Sequence, residues 1–296
     1  MFPQVVKQDI QEITNAMLKS KKVRLLIQRE DLNNPHYMGN KWWKLRFNLM
    51  EAVRQNQRTI LTFGGVFSNH IAATASACNR LGLKSISIIR GDFTDNLNPT
   101  LIKAKNEGMQ LQFVDRETYR NKSNVDWKSI YGDCYIIPEG GTNKLAVKSC
   151  EEMVYFKNFD VVCVPVGTGG TLSGVIRSLK PSQIALGFSS LKGGEFLNDE
   201  VKKYVKTSNW SIQSDYHFGG YAKINKELVD FMNEFKRDFS IQLDPVYTAK
   251  MFYGIFDMIK TNNFPPNSTI LAVHTGGLQG IEGMNQRLQS KEWKID

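Results

Sequence analysis

The chain has 296 residues, of which 41% are hydrophobic and 23% are charged, and it carries a formal net charge of +9 at pH 7. A chain of this length and composition buries a sizeable core and predicts one large domain or two medium domains of a soluble globular protein. Lysine and arginine are spread along the whole sequence, so the charge indicates weak steering of anions and argues against a nucleic-acid partner.

The cysteines and the apolar segments exclude further classes of protein. Cys78, Cys134, Cys150 and Cys163 have neither CxxC nor CxxH spacing, so we interpret them as reduced cysteines of a cytoplasmic protein without a disulfide framework or a metal site. The first twenty residues lack the apolar segment of a signal peptide. Runs of about eighteen apolar residues, which predict a membrane span, do not occur.

The first half of the chain alternates segments with helical and strand-like patterns. Segments 9–18 and 23–28 predict an amphipathic helix followed by a short strand. After a helix that begins near Lys41, the predicted elements are a strand at 59–63, a helix at 70–81, a strand at 85–90, a helix from 99 that stops at 108, and strands at 110–114 and 135–138. The polar stretch 116–128 predicts a surface loop, and 132–142 predicts a crossing between two lobes.

The second half continues this alternation from residue 142. The predicted strands are 161–166, 184–188 and 269–274, and the predicted helices are 171–179, 195–205, 226–235, 247–259 and 278–288. Alternation of this kind predicts an α/β fold in which mostly parallel sheets are covered by helices on both faces.

The stretch 37–45 places a lysine at the start of a helix. Gly39 and Asn40 permit a turn, and an apolar stripe at near-helical spacing follows them. The partial positive charge of the helix N-terminus, together with Lys44 and Arg46, should disfavour the ammonium form of Lys41. A lysine with an available free amine suits a Schiff base with an aldehyde. The alternative interpretation is a turn followed by a solvated charge.

Three glycine-rich turns follow predicted strands, which is where parallel α/β sheets bind ligands. The first turn, residues 64–70, contains Ser68 and Asn69, which can cap a helix or present a hydroxyl and an amide to a ligand. The third turn, 275–277, forms either a tight turn only or the floor of a cofactor slot.

The second turn carries the strongest signal for a ligand. The sequence Gly167-Thr168-Gly169-Gly170-Thr171 follows an apolar strand and opens a helix. Glycines there allow backbone N–H groups to approach a dianion, and the threonines add hydroxyl donors, so the turn predicts a phosphate site. Its spacing matches neither a P-loop nor a dinucleotide fingerprint.

Taken together, five motifs resemble the D-cysteine desulfhydrase and 1-aminocyclopropane-1-carboxylate deaminase family. The motifs are Gly39-Asn40-Lys41, Ser68-Asn69-His70, the second glycine turn, Asp244-Pro245-Val246-Tyr247-Thr248 and His274-Thr275-Gly276-Gly277. The resemblance implies pyridoxal 5'-phosphate as cofactor and the two-lobed fold of type II, similar to the tryptophan synthase β subunit. It also implies a large cofactor-binding domain of residues 1–41 and 149–296, a smaller α/β domain of residues 42–148, an amino-acid substrate and a homodimer.

The resemblance also assigns roles to individual residues. Lys41 would be the Schiff-base lysine, and the phosphate site would consist of Gly167, Thr168, Gly169, Gly170 and Thr171. Asn69 would contact the cofactor's ring hydroxyl and the substrate, and Ser68 and His70 would hold the substrate carboxylate. Tyr221 and Tyr247 would face the substrate, and Thr248 would contact the pyridine nitrogen. Lys41, Ser68, Tyr221 and Tyr247 would be catalytic.

Position 248 separates the branches of this family. The deaminase branch has a glutamate where this chain has Thr248, and a carboxylate there would keep the pyridine nitrogen protonated and the ring a deep electron sink. A threonine leaves the sink shallower, which is sufficient to expel a thiolate from a β-carbon. Trp43 stands where both branches usually have an arginine, and we predict that it packs in the core.

The predicted function is therefore pyridoxal-phosphate-dependent β-elimination from a small D-amino acid, with D-cysteine giving pyruvate, ammonia and sulfide. Lys41 or a tyrosinate at Tyr247 or Tyr221 would remove the Cα proton. The alternatives are deamination of 1-aminocyclopropane-1-carboxylate, a catalytically weak homologue that binds the cofactor, and a nucleotide-binding Rossmann protein.

Overall fold

The computed structural model describes residues 10–33, 39–92 and 96–296. Residue 9 of the first predicted helix and residues 37 and 38 of the predicted lysine turn lie outside the described residues. The described strands are β1 (Ile10–Ile13), β2 (Arg24–Gln28), β3 (Thr59–Gly64), β4 (Lys84–Arg90), β5 (Met109–Val114), β6 (Tyr135–Ile136), β7 (Val161–Val166), β8 (Ile184–Ser189), β9 (Trp210–Gln213) and β10 (Thr269–Val273).

Helices lie between most of these strands in the sequence. They are α1 (Ala16–Lys21), α2 (Asn40–Arg54), α3 (Asn69–Arg80), α4 (Pro99–Asn106), α5 (Arg116–Arg120), α6 (Trp127–Tyr131), α7 (Lys144–Cys150), α8 (Gly170–Arg177), α9 (Leu197–Lys202), α10 (Lys226–Phe239), α11 (Thr248–Lys260) and α12 (Gly280–Leu288). In the described part of the chain, none of these helices is both long and apolar enough to cross a membrane.

The described strands form two sheets. The larger has the order β1-β2-β10-β7-β8-β9, and the smaller has the order β5-β4-β3-β6. All neighbouring strands are parallel except β1 and β2. Central strands such as β7 are buried along almost their whole length, as expected for parallel strands covered on both faces. The predicted α/β class with two mostly parallel sheets is confirmed.

Helix α2 packs between the two sheets. It contacts α7 and α8 beside the larger sheet and α3 beside the smaller one. The adjacent tryptophans divide between these environments: Trp42 joins the apolar cluster of Leu49 and Ile60, whereas Trp43 joins that of Val162. The predicted burial of Trp43 in the core is confirmed. Residues at the start of α2 therefore lie where the two sheets meet.

The predicted helix at 9–18 is wrong in its first part. Residues Ile10–Ile13 form β1, which pairs with β2 in antiparallel register, and α1 begins only at Ala16. Asn15 caps that helix, because its side-chain oxygen accepts the backbone N–H of Leu18 at 2.8 Å. Pairing with β2, the strand that follows α1, overrode the weak helical periodicity of this segment.

The predicted surface loop at 116–128 is also wrong. It contains α5 and the start of α6, capped by the side chains of Asp115 and Asp126. Tyr119 and Trp127 are buried against the smaller sheet, where Trp127 packs edge to face on Phe63. The strand β9 was not predicted, and the other predicted elements are present with ends shifted by a few residues.

Candidate active site

A cavity of about 560 Å³ lies where β3, β7 and β10 end. Its volume is in the range typical of sites for small ligands, about 300–1,000 Å³. All three predicted glycine turns contribute to its walls. Of the predicted site residues, Lys41, Ser68, Asn69, His70, Gly167, Thr168, Gly169, Thr171, Tyr221 and Tyr247 line the cavity. Gly170 and Thr248 are not among its lining residues in the described part of the chain.

The start of α2 is positioned by close packing of Gly39. Its φ of +79° favours glycine, and an added Cβ would lie 1.9 Å from the carbonyl oxygen of Thr275. The backbone N–H of Gly39 donates to the Glu30 carbonyl and to Asn33 Oδ1, both at 3.0 Å. These contacts seat the helix start on the third glycine turn, so that Lys41 faces the cavity.

The Lys41 amine lies inside the cavity wall and is only partly exposed. Its Nζ donates to Asn40 Oδ1 at 3.0 Å and lies 5.8 Å from the centroid of the Tyr247 ring. Burial lowers the pKa of Lys41 to about 8, against the opposing influence of Asp244. The direction agrees with the prediction, but the main cause is desolvation. Arg46, which was expected to contribute, instead pairs with Glu152.

Lys44 is a second buried lysine in this cavity. Its Nζ donates to the Gly140 carbonyl at 2.6 Å, to Thr142 Oγ1 at 2.8 Å and to Thr168 Oγ1 at 3.1 Å. Burial, reinforced by the positive charge of Lys41, lowers the pKa of Lys44 to about 7. The sequence predicts Lys44 only as a charge that neighbours Lys41. Its spacing of three residues from Lys41 places both on one helix face and was the signal for a site role.

The second glycine turn forms a narrow cradle beside Lys44. Gly169 has a φ of +78°, and a Cβ at Gly170 would lie 2.7 Å from Thr142 Oγ1. Thr171, at the start of α8, accepts a hydrogen bond from Asn40 Nδ2 at 2.8 Å. N–H groups of a helix start, hydroxyls and an ammonium group converge here, which is a set of donors that suits a phosphate.

The start of α3 forms the opposite wall. Ser68 caps the helix, its Oγ accepting the Ile71 N–H at 3.3 Å. Asn69 Oδ1 accepts a hydrogen bond from Gln279 Nε2 at 2.6 Å, which links α3 to the segment before α12. The predicted helix capping by Ser68 is confirmed, and both side chains also reach the cavity.

His70 is fully buried and neutral. Its Nε2 lies 2.8 Å from Thr62 Oγ1, and that hydroxyl donates to the Ile137 carbonyl, so Nε2 must carry the proton. Burial, then the charges of Lys44 and Lys41, hold the pKa of His70 well below its usual value. Its Nδ1 has no partner among the described residues and can only accept a hydrogen bond. The group of His70 that can bind a carboxylate is therefore its backbone N–H, which lies near the start of α3.

Tyr221 and Tyr247 lie together over the second glycine turn. Their rings meet edge to face with centroids 6.2 Å apart, and a Cβ at Gly167 would meet the Tyr247 ring at 3.0 Å. Burial raises the pKa of both hydroxyls. Both tyrosines are therefore neutral near pH 7, which disfavours a tyrosinate as the base.

Thr248 is fully buried and engaged by its own turn. Its Oγ1 accepts the backbone N–H of Asp244 at 2.8 Å, and its N–H donates to Asp244 Oδ1 at 2.7 Å. Thr275, from the third glycine turn, does line the cavity. The predicted contact of Thr248 with a pyridine nitrogen stays a prediction, whereas the alternative that the third turn shapes the floor is supported by Thr275.

The burial of Trp43 is accompanied by a specific hydrogen bond. Its Nε1 donates to Glu30 Oε2 at 2.6 Å, and Gln28 and Asn33 also donate to this carboxylate. Burial raises the pKa of Glu30. This buried group was missed by sequence reasoning, and it supports the same backbone that holds Gly39.

Comparison with known proteins identifies relatives over nearly the whole chain. The sequence profile described as "Pyridoxal-phosphate dependent enzyme" matches residues 13–276. A Thermotoga maritima protein provisionally named a 1-aminocyclopropane-1-carboxylate deaminase is 30% identical over 89% of this chain and 92% of its own length.

Two further relatives extend the comparison. An Arabidopsis thaliana protein named as a mitochondrial bifunctional D-cysteine desulfhydrase and 1-aminocyclopropane-1-carboxylate deaminase is 30% identical, over 87% of this chain and 73% of its own. A crystal structure titled as that of an ACC deaminase homologue superposes with a TM-score of 0.81 at 26% identity, covering 98% of this chain and 94% of the other.

Proposed function

Because the chain belongs to the pyridoxal-phosphate dependent enzyme family, we propose that it catalyses β-elimination from a small D-amino acid. With D-cysteine and water, the products would be pyruvate, ammonia and sulfide. The observation that carries the proposal is one cavity in which the Lys41 amine, the second glycine turn and the start of α3 come together. The Rossmann alternative predicted for this sequence is not supported, since the family uses pyridoxal phosphate.

The residues present fit this cofactor. The glycine turn 167–171 and Lys44 supply donors for its phosphate. Because Gly170 has no side chain, the protein itself does not fill the cradle at that position. Lys41 supplies the amine for its aldehyde. When bound, pyridoxal phosphate supplies an electrophilic carbon and a conjugated ring that stabilises negative charge at Cα.

The protein's own groups would hold the substrate and move its protons. The N–H groups at the start of α3, with the Ser68 hydroxyl, would bind the α-carboxylate. Lys41, whose pKa is about 8, can exchange a proton near neutral pH and is the favoured base at Cα. Tyr221 and Tyr247, as neutral hydroxyls, would donate hydrogen bonds to the substrate or to its leaving group.

Deamination of 1-aminocyclopropane-1-carboxylate is the second candidate. It is favoured by the Thermotoga maritima relative, whose name carries that activity. The lack of a carboxylate at position 248 supports the first candidate, because the cofactor ring would be a weaker electron sink without one. The Arabidopsis thaliana relative is named for both activities, so one active site can serve both substrates in this family.

The test is release of 2-oxo acid from D-cysteine, L-cysteine and 1-aminocyclopropane-1-carboxylate by purified, cofactor-loaded protein. We expect the largest kcat/KM with D-cysteine. Lys41→Ala should remove turnover and the visible absorbance of the bound cofactor, whereas Lys84→Ala, at an exposed position of β4, should change neither.

Three other results of these assays would lead to different conclusions. A larger kcat/KM with the cyclopropane substrate would establish the second candidate. Absorbance without release of 2-oxo acid from any substrate would indicate a homologue that binds the cofactor but does not catalyse elimination. Full activity of Lys41→Ala would show that another lysine performs the chemistry.

A further inference from the structure

A second cavity of about 770 Å³ adjoins the cavity that Lys41 lines, which we call the catalytic cavity. The two share lining residues, namely Gly65, Arg90, Lys122, Glu139 and Tyr221. Six cationic side chains line the second cavity: Arg90, Arg116, Arg120, Lys122, Lys223 and Arg287. We refer to these six residues as the basic vestibule. Among the described residues that line this cavity, Glu139 is the only one with a carboxylate.

Within the described residues, ion pairs neutralise little of the charge in the basic vestibule. Lys122 Nζ pairs with Glu139 Oε2 at 3.1 Å. In residues 10–33, 39–92 and 96–296, none of the five other cations of the vestibule has a carboxylate within ion-pairing distance. Like charges held together without counter-charges create a strongly positive potential in a recess with low-dielectric walls.

The cations come from separate elements and several are held in place. Arg90 ends β4 and lies over the Tyr119 ring, with 5.8 Å between its guanidinium carbon and the ring centroid. Arg287 of α12 lies 5.2 Å over the Phe67 ring and donates to the Ala222 carbonyl at 3.2 Å. Side chains from β4, α5 and α12 thus converge on one recess, unlike the charges of a single solvated helix face.

The basic vestibule reaches the catalytic cavity through Arg90. Arg90 lines both cavities, and its Nη2 would lie 3.7 Å from a Cβ at Gly65. Gly65 is in the turn that leads to Ser68, whose N–H donates to the Gly65 carbonyl at 3.0 Å. A substrate held by its α-carboxylate at the start of α3 would therefore have a guanidinium beside the same turn.

We propose that the substrates of this site include amino acids whose β-leaving group is itself a tetrahedral oxyanion, such as phosphate or sulfate esters of serine. The inference rests on the proposed β-elimination and specifies its substrate class. Arginine guanidinium groups bind tetrahedral oxyanions through paired hydrogen bonds. The basic vestibule would hold the second negative charge, while the start of α3 holds the first.

The reaction balances without an added oxidant or reductant. The Cα proton passes to Lys41, and its electron pair forms the bond from Cα to Cβ. The Cβ–O bond breaks, and its electron pair leaves with the phosphate or sulfate. Addition of one water then gives pyruvate and ammonia. Arg90 would stabilise the negative charge that grows on the departing oxygen.

The test compares O-phosphoserine and serine O-sulfate with O-acetylserine, an uncharged ester of the same amino acid. Both enantiomers of each are assayed with cofactor-loaded protein. We expect kcat/KM for the charged esters to exceed that for O-acetylserine at least about tenfold at low salt, and the excess to shrink as salt screens the charges. Arg90→Gln should lower the ratio about tenfold or more, since loss of a charge-assisted hydrogen bond has effects of this size.

Two further variants separate recognition from misfolding. Arg120→Gln, at an exposed position of α5 in the vestibule, should lower the ratio severalfold. Arg237→Gln, on α10 and outside both cavities, should leave every rate unchanged. An unchanged ratio in both Arg90→Gln and Arg120→Gln, or no preference in the wild type, would overturn the inference while D-cysteine turnover still supports the proposed function.

If no amino acid releases a 2-oxo acid, the proposed function fails and binding decides the inference. Calorimetry would then measure the affinity of the cofactor-loaded protein for O-phosphoserine. Weaker binding by Arg90→Gln than by wild type supports the basic vestibule as an oxyanion site. Equal affinities overturn it, and a matched loss for serine O-sulfate would show that the site reads the shared tetrahedral charge.

Discussion

Lys41 and Lys44 lie one turn apart on α2 and face the same cavity, yet their amines have different partners. Lys41 contacts an amide oxygen and the Tyr247 ring, whereas Lys44 is held by three oxygens around the glycine cradle. Burial lowers the pKa of both. This arrangement suits Lys41 to proton transfer and Lys44 to phosphate binding.

Removal of the Lys44 charge tests that division. We expect Lys44→Met to weaken binding of pyridoxal phosphate about tenfold or more, because a hydrogen bond to a charged group contributes about 1.5–3 kcal/mol. Titration of cofactor-free protein, followed by visible absorbance, measures this affinity. At saturating cofactor the absorbance should persist, since Lys41 is intact. Lys148→Met, exposed on α7, is the control, and equal affinities for the two variants would contradict the assignment.

The backbone of Gly39 positions the start of α2, which carries these two lysines. We expect Gly39→Ala to lower the free energy of unfolding by about 3 kcal/mol, because a left-handed backbone and a steric overlap act together. The overlap arises at Thr275, whose carbonyl oxygen would lie 1.9 Å from the new Cβ. The same variant should lose the absorbance of bound cofactor, since the start of α2 would move.

Gly82→Ala is a matched control for this glycine. Gly82 has a φ of +65° and no atom within 4 Å of an added Cβ, so only the backbone term applies, about 1 kcal/mol. Urea unfolding of both variants measures the difference. A Gly39→Ala protein as stable as Gly82→Ala, with its cofactor absorbance intact, would show that the turn does not position Lys41.

At the scale of elements, α11 holds the loop that carries Tyr221. Lys250 of α11 is buried, and its Nζ donates to the carbonyls of His217 and Gly220, both at 2.8 Å. Burial lowers the pKa of Lys250 to about 8. A buried lysine thus joins the helix that begins with Thr248 to the turn immediately before Tyr221.

Lys250→Met should loosen this loop and leave its carbonyls unpaired, at a cost of about 1–3 kcal/mol for each buried group. We expect a higher KM for the amino acid and little change in cofactor affinity. The stability difference should also depend on pH. Because the folded pKa of Lys250 is about 8 and the unfolded value is near the model-compound value of 10.5, the unfolded chain binds more protons between them.

The folded protein should become more stable as a rising pH removes the proton of Lys250. Below pH 8 the burial of a charged Lys250 opposes folding in full, and this cost disappears as pH rises from about 8 to 10.5. The free energy of unfolding of the wild type should therefore rise relative to Lys250→Met over this range. Chemical denaturation at several pH values measures it, and a constant difference would show that Lys250 does not titrate there.

At the scale of the whole molecule, the candidate active site depends on two sheets that share one helix. Trp42 anchors α2 to the core of the smaller sheet, and Trp43 anchors it to the core of the larger sheet. The amine of Lys41 thereby faces glycine turns from β3, β7 and β10 at once. The domain boundaries, the homodimer and the cytoplasmic location remain predictions.

Local chemistry in the sequence determined much of the fold and several parts of the site. The Gly39–Lys41 turn, the cap at Ser68 and the glycine turn at 167–171 are signals carried by adjacent residues, so they could be predicted without coordinates. Alternation of apolar segments likewise indicated the two sheets, because parallel strands buried on both faces leave a continuous apolar pattern.

Only the tertiary structure decided which distant groups meet and what charge they carry. The oxygens around Lys44 come from segments far along the chain, the neutral state of His70 results from burial, and the basic vestibule joins residues of several elements. Likewise, β1 forms because β2 offers an edge to pair with. Burial and strand pairing depend on packing between segments that are far apart in the chain. This packing sets the dielectric around each group and its distance from other groups, and the spacing of neighbouring residues in the sequence does not determine either of them.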